Sequence, residues 1–381
     1  MKHGWEYKKL GDFITEYSVK NKGNETIPVY SVTNSQGFCK EYFSKEVASQ
    51  DKSTYKIVPY GCFAYNPSRI NVGSIDWQDK EERVIVSPLY NVFSVSEKLN
   101  QDYLLYFIKS KGTMELINAQ ATGTVRLNLK LSMLKEFQIP IPSLHQQQSI
   151  VSELDKINEL IRLKKEQLGD YEKLAQSLFY EMFGDPVENE KGWEVKKLGD
   201  ITKIGTGSTP SRNNNDYYQG TIPWVKSTEV CNCVIDSTEE HISELALNET
   251  NCTIYPKNSI LIAMYGQGKT RGQVAILNIE ATTNQAVAAI QPCEICNKIY
   301  MFQYLRLMYE TIRCMARGGN QANLNLSLVK SINIPLPPLS LQNLFAQRIE
   351  LIEQQKAEIK STIADLETLL ASRMQYWFFG F

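Results

Sequence analysis

The residues best suited to chemistry in this chain are arginines, lysines and amides set in short glycine-containing stretches. Lys269, Thr270, Arg271 and Gln273 follow Gly266-Gln267-Gly268, just after the apolar run Ser259-Ile260-Leu261-Ile262-Ala263. A phosphate loop of the Gly-x-x-x-x-Gly-Lys type needs glycine at 263, where Ala263 stands, so nucleotide binding is not expected. The stretch reads better as a polar, basic hairpin whose glycines let the backbone come close to a phosphate. Arg69, Asn71 and Ser74 occupy the corresponding stretch of the first half. Arginine pairs in bidentate fashion with guanine and asparagine with adenine, so this stretch has base-reading chemistry. Thr122 and Arg126 lie in Ala121-Thr122-Gly123-Thr124-Val125-Arg126, and Arg317, Asn320 and Gln321 lie in its counterpart at 316–323. Small residues beside Arg and Gln suit close approach to a duplex. The plain alternative for every one of these stretches is a solvated turn.

No catalytic constellation emerges. His3, His145 and His241 sit in no triad or ligand spacing. Asn66-Pro67-Ser68-Arg69 lacks the second proline and the aromatic residue with which adenine methyltransferases grip a flipped base. Cys231-Asn232-Cys233 and Cys293-Glu294-Ile295-Cys296 occur in the second half alone, and the first has an unusual zinc spacing. They are read as thiols, and no metal site is expected. With no extracellular framework spacing, the 8 cysteines point to reduced thiols and a cytoplasmic location.

At 381 residues the chain exceeds what one hydrophobic core usually organises, so at least two domains are expected. A hydrophobic share of 43% rules out wholesale disorder. No apolar run approaches the roughly 20 residues that span a bilayer, and the N-terminus has no signal-peptide pattern. A net charge of -1 excludes a globally basic, histone-like binder. Contact with nucleic acid must come from local basic loops.

These loops recur because the chain is duplicated. Gly4-Trp5-Glu6-Tyr7-Lys8-Lys9-Leu10-Gly11-Asp12 returns as Gly192-Trp193-Glu194-Val195-Lys196-Lys197-Leu198-Gly199-Asp200. Asn128-Leu129-Lys130-Leu131-Ser132 returns as Asn323-Leu324-Asn325-Leu326-Ser327. Ile139-Pro140-Ile141-Pro142-Ser143-Leu144 returns as Ile334-Pro335-Leu336-Pro337-Pro338-Leu339. Thr26–Val32, Val84–Val86, Thr221–Val225 and Ser259–Ala263 read as strands, whereas Tyr103–Ile108 and Tyr300–Leu305 read as helix beginnings.

After each Pro segment the period changes. Ile150, Leu154, Ile157, Ile161, Lys164, Leu168, Tyr171, Ala175, Leu178 and Met182 recur at alternating spacings of 4 and 3. Phe345, Ile349, Ile352, Lys356, Ile359, Ile363, Leu366, Leu370, Arg373 and Trp377 repeat that phase. Such spacing marks two coiled-coil helices, the first stopped at Gly184-Asp185-Pro186. Each exposes an apolar stripe, so the two should bury each other in an antiparallel pair. A register centred near Glu166 puts Lys356 near Tyr171 and Lys164 near Ile363, stems over the seam and ammonium groups in water. The expected fold is α+β: domains at residues 1–149 and 185–341 alternate with long helices at 150–184 and 342–381, with pseudo-two-fold repetition.

The whole chain resembles the DNA-specificity subunit of type I restriction–modification enzymes. The resemblance rests on Gly205-Thr206-Gly207-Ser208-Thr209-Pro210-Ser211-Arg212 followed by Gly220-Thr221-Ile222-Pro223-Trp224-Val225. It rests also on Arg69-Ile70-Asn71-Val72-Gly73-Ser74-Ile75, and on Arg126-Leu127-Asn128-Leu129 with the Ile-Pro-x-Pro-x-Leu segment and its helix. The first half departs from the pattern, since Glu16-Tyr17-Ser18-Val19-Lys20-Asn21-Lys22 lacks the Gly-Thr-Gly-Ser-Thr-Pro turn. The resemblance implies two target-recognition domains, each reading half of a split site in double-stranded DNA, with helices that bind two methyltransferase subunits. Restriction–translocase subunits would join that complex. S-adenosylmethionine, ATP and magnesium would then belong to the partners, and this chain would be non-catalytic and bind no cofactor. The competing reading is a self-sufficient methyltransferase or nuclease with a fused recognition domain.

Overall fold

The computed structural model describes residues 4–40, 51–120, 128–266, 268–315 and 323–380. It divides into two compact units, one formed by residues 1–166 with 360–381 and the other by 167–359. Each unit therefore holds one globular domain together with part of both long helices. The mixed helix and sheet content agrees with the α+β expectation.

In the first unit the duplicated opening becomes the strand Tyr7–Lys9, paired antiparallel with Gln138–Pro140. In the second, Val195–Lys197 pairs in the same way with Asn333–Pro335. Each domain thus closes on itself, its first strand bound to the segment that leads into its long helix. The glycine of the repeated Leu-Gly-Asp makes that closure close-packed. A Cβ on Gly11 would lie 3.1 Å from Lys135, and one on Gly199 would lie 3.0 Å from Lys330.

The central sheets share an order. In the first unit Ile14–Glu16, Asn91–Val95, Phe63–Tyr65 and Ile75–Trp77 lie side by side, all antiparallel. In the second the order is Ile204–Thr206, Val287–Ile290, Ile260–Ala263, Val274–Leu277 and then Cys233–Ile235, the last pairing parallel. Of the strand expectations, 222–225, 260–263 and 83–86 are met. The segment from Thr26 is not a strand throughout: regular pairing covers only Ser31–Thr33. Before it, Val29 makes an isolated bridge to Ile85, while Ile27 and Tyr30 are buried by side-chain packing.

The helix starts at Tyr103 and Tyr300 fall within Gln101–Lys109 and Lys298–Leu307. Asn100 and Asn297 cap them, each side chain accepting a first-turn amide. The first long helix runs over Leu144–Phe183 and the second over Leu339–Phe379. Both begin in the Pro segments, ahead of Ile150 and residue 342. Gly184 ends the first in the left-handed region, at φ 80°.

Of the positions assigned to the helix seam, Ile150, Leu154, Ile157, Ile161, Ile349, Ile352, Ile359 and Ile363 are buried, whereas Leu168, Tyr171, Leu366 and Leu370 are half-buried. Within the first unit Arg373 bonds Glu153, and Lys165 Nζ lies 2.7 Å from Glu367. Rising numbers on one helix meet falling numbers on the other, so the segments are antiparallel. In the second unit Lys356 meets Glu172, one residue from the expected Tyr171. One expectation fails there: the Lys356 ammonium does not reach water. The side chain is 6% exposed and ends between Glu172 and Glu353.

Candidate nucleic-acid interface

Both candidate loops hang from the same place in their sheets. Asn66–Ser74 joins Phe63–Tyr65 to Ile75–Trp77, and Met264–Gln273 joins Ile260–Ala263 to Val274–Leu277. Buried strands fix the two ends of each loop, so its tip is presented by a rigid sheet.

The first loop folds as a tight turn over Ile70–Val72, closed by Gly73 at φ 83°. A side chain at 73 would be strained by that angle and would strike Asn34, whose Oδ1 lies 2.3 Å from the Cβ position. Arg69 is exposed and Asn71 half-buried on this turn. With Asn34, Ser35, Asn66, Val72 and Leu89 among its lining, Arg69 borders a groove of about 730 Å³. Ser74 also lines the groove, although its side chain is engaged inside the fold. It is 3% exposed, and its hydroxyl donates to the Val32 carbonyl at 2.5 Å. Its role is to tie the loop to the neighbouring strand.

The second loop depends on glycine in a different way. Gly266 sits at φ 146°, and a Cβ there would lie 2.7 Å from Thr270. Gly272, at φ 88°, lets the chain pass close against Arg313 and Tyr309. Lys269 is exposed, and Thr270, Arg271 and Gln273 are half-buried. Tyr309 Oη donates to the Lys269 carbonyl at 2.6 Å, pinning the tip to the helix Tyr309–Met315.

Each loop is also tied to the other candidate segment of its domain. Leu129 N donates to Pro67 O at 3.1 Å, and Leu324 N donates to Met264 O at 3.2 Å. In the first domain Tyr65 Oη adds a bond to Leu129 O at 3.1 Å and accepts from Asn91 Nδ2 at 2.9 Å. Burial pushes the Tyr65 phenol far up from its usual value, so it stays a neutral donor. Leu129 lies three residues beyond Arg126, and Leu324 directly follows the stretch at 316–323. Thr122, Arg126, Arg317, Asn320 and Gln321 themselves lie outside the described residues.

Local sequence patterns missed several supporting groups. Gln147 is fully buried: Asn100 N donates to its Oε1 at 2.8 Å, and its Nε2 donates to Lys98 O at 3.1 Å and Pro142 O at 3.0 Å. Gln342 repeats this with Asn297 N, Ile295 O and Pro337 O. Each glutamine thereby fastens the start of a long helix to a domain helix cap. Gln at equivalent distances from the two Pro segments was the available signal.

The glycine turn behind the resemblance proves to be a packing device. A Cβ on Gly207 would lie 1.7 Å from the Thr283 carbonyl oxygen. Trp224 Nε1 donates to Ser208 O at 3.0 Å, and Tyr218 Oη donates to Pro210 O at 2.6 Å. Arg212 lies over the Tyr218 ring at 4.2 Å and bonds Glu240 at 2.6 Å, which raises its pKa further.

A family model for the type I restriction modification DNA specificity domain matches residues 2–170 and again 190–367. The chain belongs to this family. The double match coincides with the duplication read from the sequence. The specificity subunit of the type I restriction enzyme MjaIX from Methanocaldococcus jannaschii is 30% identical over 265 residues, 65% of this chain and 61% of the relative. The EcoR124I/EcoR124II specificity subunit from Escherichia coli is 29% identical over 221 residues, 55% of this chain and 53% of the relative. The matches thus span between half and two-thirds of these relatives. Among solved structures, a chain of a type I R-M system superposes with TM-score 0.67 at 18% identity, covering 98% of this chain and 97% of the other. The type I S subunit from M. genitalium gives TM-score 0.54 at 17% identity, covering 98% and 96%. Both structures share the fold of this chain. No helix among the described residues is long and apolar enough to cross a membrane.

Proposed function

We propose that this specificity-family chain reads a bipartite site in double-stranded DNA, with one domain on each half. The observation that carries this reading is the repeated loop geometry. At the same sheet position in both domains, a loop bearing Arg69 and Asn71, or Lys269 and Arg271, is bonded to a leucine within three residues of a glycine-containing stretch. Lysine and arginine supply salt-dependent attraction to phosphates, and base-edge contacts discriminate by about 1–3 kcal/mol each. The loops differ in residue type, so the two half-sites should differ in sequence.

The domains are assigned to residues 1–149 and 185–341, and spacer segments to 150–184 and 342–381. The long helices would dock two methyltransferase subunits, and restriction–translocase subunits would join for cleavage. Chemistry resides on those partners, with S-adenosylmethionine, ATP and magnesium, in the cytoplasm. Mapping methylated adenines in a host carrying this gene with its methyltransferase tests the reading. A split motif that vanishes on deletion of this gene is expected. Methyl transfer or cleavage by the purified chain alone would overturn it.

A further inference from the structure

One cation outside the second loop packs directly against it. Arg313 lies on the helix Tyr309–Met315, about 40 residues beyond Lys269 and Arg271. Its Nη1 donates to Tyr309 Oη, and its guanidinium lies 5.1 Å from the centre of the Tyr309 ring. Tyr309 in turn spends its own proton on the Lys269 carbonyl, at 2.6 Å. The bond from Arg313 therefore sets the direction of the hydroxyl, and the hydroxyl sets the position of the loop tip. Gly272 allows this packing, since a Cβ there would come within 3.0 Å of Arg313 Cγ.

The charges in this cluster are not neutralised. Arg271 Nε and Arg313 Nε are both shut from solvent without an acceptor among the described residues. They account for two of the three buried side-chain polar atoms left in that state there, the third being Ser96 Oγ. Neither arginine, nor Lys269, forms an ion pair with a carboxylate among the described residues, although Glu310 stands on the same helix. Elsewhere in this unit Lys226, Arg212, Arg306 and Lys356 all meet a carboxylate. A half-buried guanidinium held by a tyrosine and left without a counter-charge suits an external anion, because desolvated cations gain most from a new partner.

We infer that Arg313, with Arg271 and Lys269, seats a backbone phosphate of the DNA, and that Tyr309 positions the seat. This rests on the DNA-reading proposal above. It assigns Arg313 to affinity rather than to base choice, since a phosphate carries no sequence information.

The test uses the complex with its methyltransferase subunits and a labelled duplex bearing the mapped site. Dissociation constants are measured against sodium chloride for wild type, Arg313→Gln and Arg313→Lys. Losing one phosphate contact should reduce the log–log salt slope by about 0.9, while a retained ammonium should keep it. Arg313→Gln should weaken cognate and unrelated duplexes by the same factor and leave the methylated motif unchanged. Should Arg313→Gln fail to fold, Arg313→Lys decides through single methylphosphonate linkages. A neutral linkage that weakens wild type should weaken Arg313→Lys less, because the planar fork is already gone. Inorganic phosphate at matched ionic strength should compete no better than chloride, which separates duplex backbone from free anion. An unchanged slope in folded Arg313→Gln, equal methylphosphonate penalties in wild type and Arg313→Lys, or competition by free phosphate overturns the seat alone. A wild-type complex without salt-dependent duplex binding overturns the DNA reading itself.

Discussion

Lys356 holds its ammonium against the Glu172 carboxylate inside the helix pair, with Glu353 as a second partner at 2.7 Å. Arg306 approaches the same Glu172 at 3.3 Å. A lysine at a seam position is therefore matched by acid from both helices.

Because desolvation offsets most of a buried pair's attraction, replacing the cation should cost little. Lys356→Met is expected to change stability by less than about 1 kcal/mol, or to raise it. Glu172→Ala leaves the buried ammonium with Glu353 alone and should cost about 1–2 kcal/mol. Urea denaturation of both variants checks the order. A larger loss in Lys356→Met than in Glu172→Ala would show that the charge itself holds the pair.

The same contact has a pH signature. Burial alone would raise the Glu172 carboxyl, but bonding and attraction to Lys356, then Arg306, outweigh it and hold the carboxyl below its usual value. A depressed folded value means the contribution is present above the unfolded pKa of about 4.3 and fades as pH falls through the folded value. Glu172 is about half exposed, so the difference between wild type and Glu172→Gln should be no more than about 1 kcal/mol at pH 7. It should shrink between about pH 5 and pH 3. A difference that grows on acidification, measured in denaturant titrations across that range, contradicts the sign.

The buried glutamines should be the polar side chains least tolerant of change. Gln147→Ala strands two carbonyls and one amide, and Gln342→Ala strands the equivalent three groups. Each substitution should cost about 2–4 kcal/mol. Gln146, exposed and bonded only to Ser143 at the helix start, should cost about 0.5–1 kcal/mol when changed to alanine. Equal shifts in thermal midpoint for Gln146→Ala and Gln147→Ala would refute the clamp.

Base reading should divide between the domains. Arg69→Ala is expected to relax or weaken only one half of the methylated motif, and Gln273→Ala only the other. Sequencing of methylated adenines reads both effects in one experiment. Changes confined to the same half for both variants would rule out one domain per half-site.

The candidate site was legible where local chemistry sufficed. Gly73, Gly266 and Gly272 announced backbone conformations that side chains resist, and the neighbouring cations marked both loops. Ser74, beside Arg69 and Asn71, has the same appearance in sequence whether it faces solvent or a carbonyl. Its direction was decided by Val32, on a strand whose opening residues do not pair regularly. Arg313 carried no local signal at all. It matters through Tyr309 and Gly272, which only folding brings together.

Duplication, heptad phase and the Gly184 stop follow from sequence because each depends on residues within a few turns of one another. The repeats marked both domains, and the alternating 4 and 3 spacing marked the two helices and the helix register to within one residue at Lys356. Only tertiary structure decided where buried polar groups find partners. The Lys356 ammonium meets Glu172 instead of water, and Gln147 and Gln342 bind carbonyls about 50 residues away. The physical reason is that a buried donor must be satisfied by whichever group the fold places beside it. Hydrophobic periodicity specifies which face turns inward, but it does not specify that partner.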